Sequence, residues 1–260
     1  MTGPVPGPAF VAATAHTYVE RLDDRLRIDG PDGHHLLRVR RLTPGEVVTA
    51  ADGFGRWRAY DVTGVADGAL LLAATTEVEH EVPFEPGLVV ACALTKGDRP
   101  ELVVQKLTEL GVDRIVIVRA ARSVVRWDAA RADAALTRLA RVAREAGAQS
   151  RRARLPVLDG PLLPEELAGK PGLVVAALGG LPVAEVPEPP PADHGHPEWV
   201  VAIGPEGGFA PEELDGFGAA PVVAVGVHVL RAETAAIAAA AAFTGRRRPP
   251  GPRDAPAVTA

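Results

Sequence analysis

The sequence predicts an α/β protein: a parallel sheet covered by helices in the C-terminal part, preceded by a small β-rich unit. Two observations carry this prediction. Residues 88–94, 114–119, 173–178, 199–204 and 221–227 are near-continuous apolar runs separated by helical patterns. Such runs mark strands buried on both faces, and their alternation with helices marks the α/β class. Before residue 80 the apolar runs are shorter and punctuated by turn signals.

The opening stretch "MTGPVPGPAFVAATAH" has neither a basic start nor a long apolar run, so no signal peptide is expected. "RLRI" (25–28), "EVVTAAD" (46–52), "WRAYDVTGV" (57–65) and "ALLLAATTEV" (69–78) are strand candidates, with "DGHHLLRVRRL" (32–42) helical between them. Short strands at this spacing predict a small barrel over residues 1–80. Pro83, Pro86 and Gly87 break regular pairing and predict a linker over 81–87. The α/β domain then runs over 88–246. Its helix "DRPELVVQKLTELG" (98–111) has Asp98 as N-cap, Glu101 at the capping-box position and Gly111 at C′, with Val103, Leu107 and Leu110 facing inward. The helix over 128–147 buries Leu136, Leu139, Val142 and Ala146, and "APEELDGF" (210–217) reads as a third. "AAIAAAAAF" (235–243) has little bulk and must pack close to a neighbour; it is too short to span a bilayer, so no membrane partner is expected. The proline-rich stretch 185–198 reads as an exposed loop, and 247–260 as a disordered tail.

Across 260 residues, 47% hydrophobic and 23% charged residues describe a globular chain, and 4% aromatics leave the core to Val, Leu, Ile and Ala. A net charge of −5 gives no global attraction to nucleic acid. Cys92 is the only cysteine, which excludes an intrachain disulfide and a cysteine-based metal site. Set within "LVVACAL", it reads as a buried small hydrophobe in a reducing, cytoplasmic protein. His34 and His35, and His194 and His196, lack a third ligand, so no metal is expected.

Four stretches carry chemistry. Between Arg119 and Arg154 lie ten arginines, opposed by Asp128, Asp133 and Glu145. They read either as a phosphate-binding surface or as solvated helix faces. Arg122 and "QSRRAR" (149–154), placed at element ends, favour the first reading. In the small domain Arg38, Arg40, Arg41, Arg56 and Arg58 form a second basic patch. Lys96 and Arg99 sit between a strand end and a helix start, where open parallel sheets bind ligands. "IGPEGGF" (203–209) resembles a phosphate cradle, but Pro205 lacks an N–H and Glu206 repels a pyrophosphate. A neutral or cationic adenosine derivative suits it better, and an unliganded tight turn remains the alternative. In "VGVHVLRAETAA" (225–236), Arg231 can anchor an anion or pair with Glu233.

"TKGDRPELVVQKLTELGV", "RSV", "REAGAQSRRARLP", "IGPEGGF" and "LRAETAA", in this order and spacing, resemble the bacterial 16S ribosomal RNA uridine-N3 methyltransferases of the SPOUT superfamily. The resemblance covers nearly the whole chain. It implies a PUA-like N-terminal barrel and a parallel-sheet SPOUT domain with a deep trefoil knot, acting as a homodimer on 16S rRNA within the small ribosomal subunit. It implies S-adenosyl-L-methionine bound between three loops. The first offers Leu178 and Gly179; the second Ile203, Gly204, Pro205, Glu206, Gly207 and Gly208; the third Val225, Gly226, Val229, Leu230 and Arg231, followed by Thr234 and Ala235. His228, Ala232 and "GGLP" (179–182) depart from the family pattern. Arg231, Lys96 and Glu206 are the expected catalytic residues. Arg38, Arg41, Arg99, Arg122, Arg126, Gln149, Arg151 and Arg152 are expected to contact RNA. The alternatives are a SPOUT ribose 2′-O-methyltransferase, against which "TKGDRPE" speaks, and a non-catalytic RNA-binding protein.

Overall fold

The computed structural model describes residues 13–93, 99–124, 127–192 and 195–248, which form two compact units. Lys96, Asp98, Arg126 and His194 lie outside the described residues, as does 249–260. Among the described residues no helix is long and apolar enough to cross a membrane.

The first unit is a six-stranded sheet. Strands β1 (Ala15–Tyr18), β2 (Arg25–Ile28), β3 (Val47–Ala51), β4 (Arg56–Ala66) and β5 (Ala69–Ala74) order as β1-β3-β4-β5-β2, and β6 (Glu79–His80) pairs with β4. Helix α1 (Gly30–His34) runs into a π turn over His35–Val39. Leu36 and Leu42 pack under Val48, Tyr60, Val62, Leu70 and Leu72. Strand β1 was not foreseen, because it buries two polar residues, His16 and Thr17. The His16 ring makes this tolerable: Nδ1 lies 2.8 Å from Thr49 Oγ1 and Nε2 3.0 Å from the Arg152 carbonyl. Burial lowers the His16 pKa to about 4, with the Arg152 carbonyl opposing and the Arg151 charge assisting.

Residues 144–155 pack with this first unit, although the sequence placed them in the second domain. Arg144 Nη2 donates to the Tyr18 carbonyl at 2.8 Å and to Asp32 Oδ2 at 2.9 Å, and the Tyr18 hydroxyl donates to the Arg152 carbonyl at 2.7 Å. Arg144 is thus a structural residue of the arginine-rich stretch. Arg138 is another, pairing with Glu101 at 3.0 Å within the second unit.

The second unit holds β7 (Gly87–Ala93), α2 (Arg99–Glu109), β8 (Arg114–Val118), α3 (Ala129–Ser150, counted here to Ala143), β9 (Val157–Leu162), β10 (Leu173–Pro182), β11 (Glu198–Ile203), α4 (Pro211–Gly216), β12 (Val222–Ala224) and α5 (Ala232–Thr244). All six strands are parallel, in the order β12-β10-β11-β7-β8-β9. Alternate residues of β7 serve opposite faces. Leu88, Val90 and Cys92 join α2, α3 and α5 through Leu107, Leu139 and Phe243, while Val89 and Ala91 join Phe209 and Phe217. Two buried faces therefore explain the unbroken apolar runs. Cys92 is buried, which pushes its thiol pKa up to about 12. Ala236, Ala239 and Ala240 of α5 are fully buried, as its lack of bulk requires.

Strand β9 escaped the sequence reading because Gly160 and Pro161 interrupt it. It lies at the sheet edge with β8 as its one partner, where proline costs no ladder bond on the free side. The 185–198 stretch is less exposed than expected: Val186 and Pro189 are buried, and Trp199 Nε1 donates to the Pro187 carbonyl at 3.1 Å. The expected tail also begins too early. Arg247 is buried, and its guanidinium donates to the carbonyls of Phe84, Pro86 and Gly111 and to Asp113 Oδ2 at 2.6 Å.

Candidate functional site

The β10–β11 ladder stops with Ala176 opposite Ile203, where β11 ends and β10 runs on to Pro182. Beyond the end of this ladder opens a cleft of about 260 Å³, bounded by residues 175–178, by 203–206 with Gly208 and Phe209, and by Val225, Gly226 and 228–230, with Leu214, Ala232 and Ala235. Parallel sheets bind ligands at this end. The first wall exists because β10 shifts register against β12 between Ala176 and Leu181, which releases the residues between from the ladder. The third exists because β12 stops at Ala224, short of the expected 221–227, so the following residues leave the sheet.

The second wall is a turn built by glycine. The Gly208 N–H donates to the Pro205 carbonyl at 2.8 Å with φ +68 at Gly208. A Cβ on Gly204 would sit 3.0 Å from the Phe209 nitrogen, so its smallness serves the turn's own backbone as well as any ligand. Two side chains brace this turn. Arg122 Nη1 donates to the Gly207 carbonyl at 2.7 Å. Glu213 accepts from the backbone N–H of Ala121 and of Ala210, both at 2.7 Å. Glu213 was not singled out in the sequence; its place three residues after the helix entry at Ala210, with Pro211 at N1, is the N3 signal that could have found it.

Of the expected cofactor residues, Leu178, Ile203, Gly204, Pro205, Glu206, Gly208, Val225, Gly226, Val229, Leu230 and Ala235 line the cleft. Gly179, Gly207, Arg231 and Thr234 are exposed and stand outside its lining. Val175, Ala176, Ala177, Phe209, Leu214, His228 and Ala232 line it without having been named as ligand contacts. The only ionisable side chains among the described lining residues are Glu206 and His228; no lysine or arginine is present there.

Arg231 occupies the N-cap of α5, between Leu230 and Ala232, which do line the cleft. Arg99, expected to contact RNA, lies beside two carboxylates: Nη1 is 3.4 Å from Glu206 Oε1 and Nε 3.5 Å from Glu233 Oε1. Glu233 is buried, and its Oε2 has no hydrogen-bond partner among the described residues. Of the other expected RNA residues, Arg38, Arg41 and Gln149 are exposed, and Arg151 and Arg152 are half-buried; all five belong to the first unit.

Residues 83–244 match the RNA methyltransferase domain family, and residues 28–73 match the RNA methyltransferase PUA domain. A Mycobacterium bovis protein named ribosomal RNA small subunit methyltransferase E is 37% identical over 235 residues, which cover 85% of this chain and 88% of that protein. A Bacillus subtilis protein of the same name is 29% identical over 238 residues, covering 84% and 88%. The Neisseria gonorrhoeae protein of that name, solved bound to S-adenosyl methionine, superposes with a TM-score of 0.73 at 25% identity, covering 89% of this chain and 97% of that one. With a matched methyltransferase domain carrying the cleft and a relative this similar along most of both chains, the protein belongs to the ribosomal RNA small subunit methyltransferase E family.

Proposed function

We propose that this protein methylates N3 of one uridine in 16S rRNA, near the decoding region of the small ribosomal subunit, using S-adenosyl-L-methionine. The chemistry of the cleft wall carries the cofactor assignment. The wall is apolar side chain and loop backbone with one carboxylate, Glu206, and no lysine or arginine among its described residues. A purine and ribose suit such a wall, and a sulfonium and an ammonium are compatible with Glu206. A polyphosphate would meet a carboxylate and no lysine or arginine among the described lining residues. The site volume of about 260 Å³ lies near the lower end of the range for small-molecule sites, roughly 300–1,000 Å³.

The bound cofactor supplies an electrophilic methyl group. Uridine N3 is a poor nucleophile until its proton leaves, so the protein must stabilise the charge that develops on O2 and O4. Arg231, exposed at the head of α5, serves as the first cation for this, and Lys96 as the second. Glu206 accepts the proton or a hydrogen bond. The target base must leave its stack to reach the cleft, at a cost of a few kcal/mol. Arg38, Arg41, Gln149, Arg151 and Arg152, with Arg99, Arg122 and Arg126, hold the surrounding RNA by its phosphates.

The rest of the reading concerns architecture. The first unit is a small PUA-like barrel built from the strands before residue 81 with residues 144–155 packed among them, joined by a linker at 81–87 to the catalytic domain, which takes the rest of the chain through Arg247. The catalytic domain is knotted; the path from β12 at the sheet edge to α5, which packs on β7 and β11 further in, supports this. The enzyme is a cytoplasmic homodimer that completes each site near its interface. Exposed Leu178, Val227 and Val229 around the cleft support that surface.

The test is primer extension on small subunits lacking the modification, after incubation with protein and cofactor. An N3-methyl blocks extension at all nucleotide concentrations. A stop seen only at low nucleotide concentration means ribose methylation, and no stop, together with no cofactor binding by calorimetry, overturns the enzyme reading. Arg231→Ala should abolish the stop without lowering the melting temperature.

A further inference from the structure

We propose that Phe54 in the first unit is a stacking platform for an unpaired RNA base, flanked by Arg56 and Arg154 as phosphate contacts. The proposal rests on the RNA-methyltransferase reading and adds a residue and a substrate form to it. Phe54 is 79% exposed at the turn between β3 and β4. An isolated exposed apolar residue is ordinary; what sets this one apart is the turn that presents it. Asp52 Oδ1 accepts from the N–H of Phe54 at 2.7 Å and of Arg56 at 3.1 Å. The Leu155 N–H donates to the Gly53 carbonyl at 2.9 Å, the Gly55 N–H to the Ala153 carbonyl at 3.1 Å, and the Glu81 N–H to the Gly55 carbonyl at 2.7 Å. Gly53 and Gly55 both adopt positive φ, +82 and +105. The backbone on either side of Phe54 is therefore fixed, and the ring alone is left in water. Leaving such a ring unburied forgoes roughly 1.5–3 kcal/mol.

The surroundings are cationic. Arg154 lies against the turn so closely that a Cβ on Gly55 would come within 2.5 Å of its Nη2. Arg56 is exposed and pairs across β6 with His80, and Arg151 and Arg152 come from the same segment as Arg154. Of the nearby acids, Asp52 caps the two amides and Glu81 is half-buried with the charges of Arg152 and Arg154 acting on it, while Glu79 is exposed on β6 opposite Trp57. An exposed aromatic on a fixed backbone with arginines beside it suits single-stranded RNA, because every base has a π-face and only an unpaired base can offer it. A duplex would hide its base faces from this ring. The occupant is thus a single-stranded segment, bound without strong base preference.

The experiment compares the full-length protein with Phe54→Ala and Phe54→Trp, using a short single-stranded RNA carrying 2-aminopurine and the same sequence as a duplex. The wild type should quench 2-aminopurine in the single strand. Phe54→Ala should lose the quenching and weaken binding roughly 5–150-fold, the equivalent of about 1–3 kcal/mol per stacked base, with duplex binding unchanged. Phe54→Trp should restore both, and its added emission should fall on binding. On the methylation substrate, Phe54→Ala should raise KM far more than it lowers kcat. Equal single-strand affinity for wild type and Phe54→Ala overturns the platform, as does a wild type that ignores the single strand. An equal loss on single strand and duplex, or a loss confined to capture of a ribosomal protein, overturns it too. Methylation by a protein whose Phe54→Ala variant behaves as wild type leaves the enzyme reading standing; no cofactor binding by the wild type removes that reading instead.

Discussion

Glu206 and Glu233 share one guanidinium: Arg99 Nη1 lies 3.4 Å from Glu206 Oε1 and its Nε 3.5 Å from Glu233 Oε1. Glu206 belongs to the glycine turn of the cleft and Glu233 to the first turn of α5, so Arg99 ties that turn to the helix that supplies Ala232 and Ala235 to the lining. Removing it leaves the buried Glu233 carboxylate without its ion-pair partner among the described residues. Arg99→Ala is expected to destabilise the second unit by about 1–3 kcal/mol and to weaken cofactor binding. Arg99→Lys should recover part of both, because it restores charge without the two-sided fork. Thermal melting and calorimetry with S-adenosylmethionine read the two effects separately.

The turn over Pro205–Gly208 gives a second prediction. Gly208 sits at φ +68 in open space, so a side chain there is strained without being crowded. Gly208→Ala should cost about 1–2 kcal/mol. A loop that deforms to relieve this strain should bind the cofactor about 5–30-fold more weakly. Unchanged affinity in calorimetry would mean that the turn does not contact the cofactor.

Arg122 holds the same turn from outside, through the Gly207 carbonyl at 2.7 Å. Charge-assisted hydrogen bonds of this kind contribute roughly 1.5–3 kcal/mol. Arg122→Ala should therefore raise KM for the cofactor while kcat at saturating cofactor changes little. If KM for RNA rises instead and cofactor KM does not, Arg122 contacts RNA more than it braces the loop.

His16 predicts an acid limb in the stability of the first unit. It is buried neutral, with its pKa lowered from 6.5 to about 4 chiefly by burial. Between those values the unfolded chain binds the proton and the folded one does not, so stability rises with pH across the window. The contribution is complete above pH 6.5 and lost as pH falls toward 4, about 3 kcal/mol in all. Hydrogen-exchange protection of the β1 amides should fall over this range. In His16→Asn it should be lower at neutral pH and should lack this part of the slope.

Much of the second unit was legible because burial on two faces writes itself as unbroken apolar runs. Strands β7, β8, β10 and β11 were each anticipated to within a few residues at both ends, apart from the C-terminal end of β10. Strand β9 was not, because a sheet edge tolerates Gly160 and Pro161. Strand β1 was not, because His16 and Thr17 look like surface residues until Thr49 and the Arg152 carbonyl are known to meet them. At the cleft, glycine and proline in "IGPEGGF" announced the turn. Bracing by Arg122 and Glu213 depends on residues brought from the β8–α3 connection and from α4, pairings that no local pattern encodes. The same holds for Arg99, whose two carboxylate partners lie far along the chain.

Arg247, near the end of the sequence, closes on Phe84 and Pro86 at the beginning of the second unit and on Gly111 and Asp113 beside β7 and β8. A ribosome makes those early residues long before it makes their last partner. The second unit therefore cannot reach its final state while it is being synthesised. The described residues of the first unit have all emerged once residue 155 has been made, and domains fold as their contacts become available. Emergence of Arg247, rather than the appearance of any one strand, sets the moment at which the cleft-bearing unit can close.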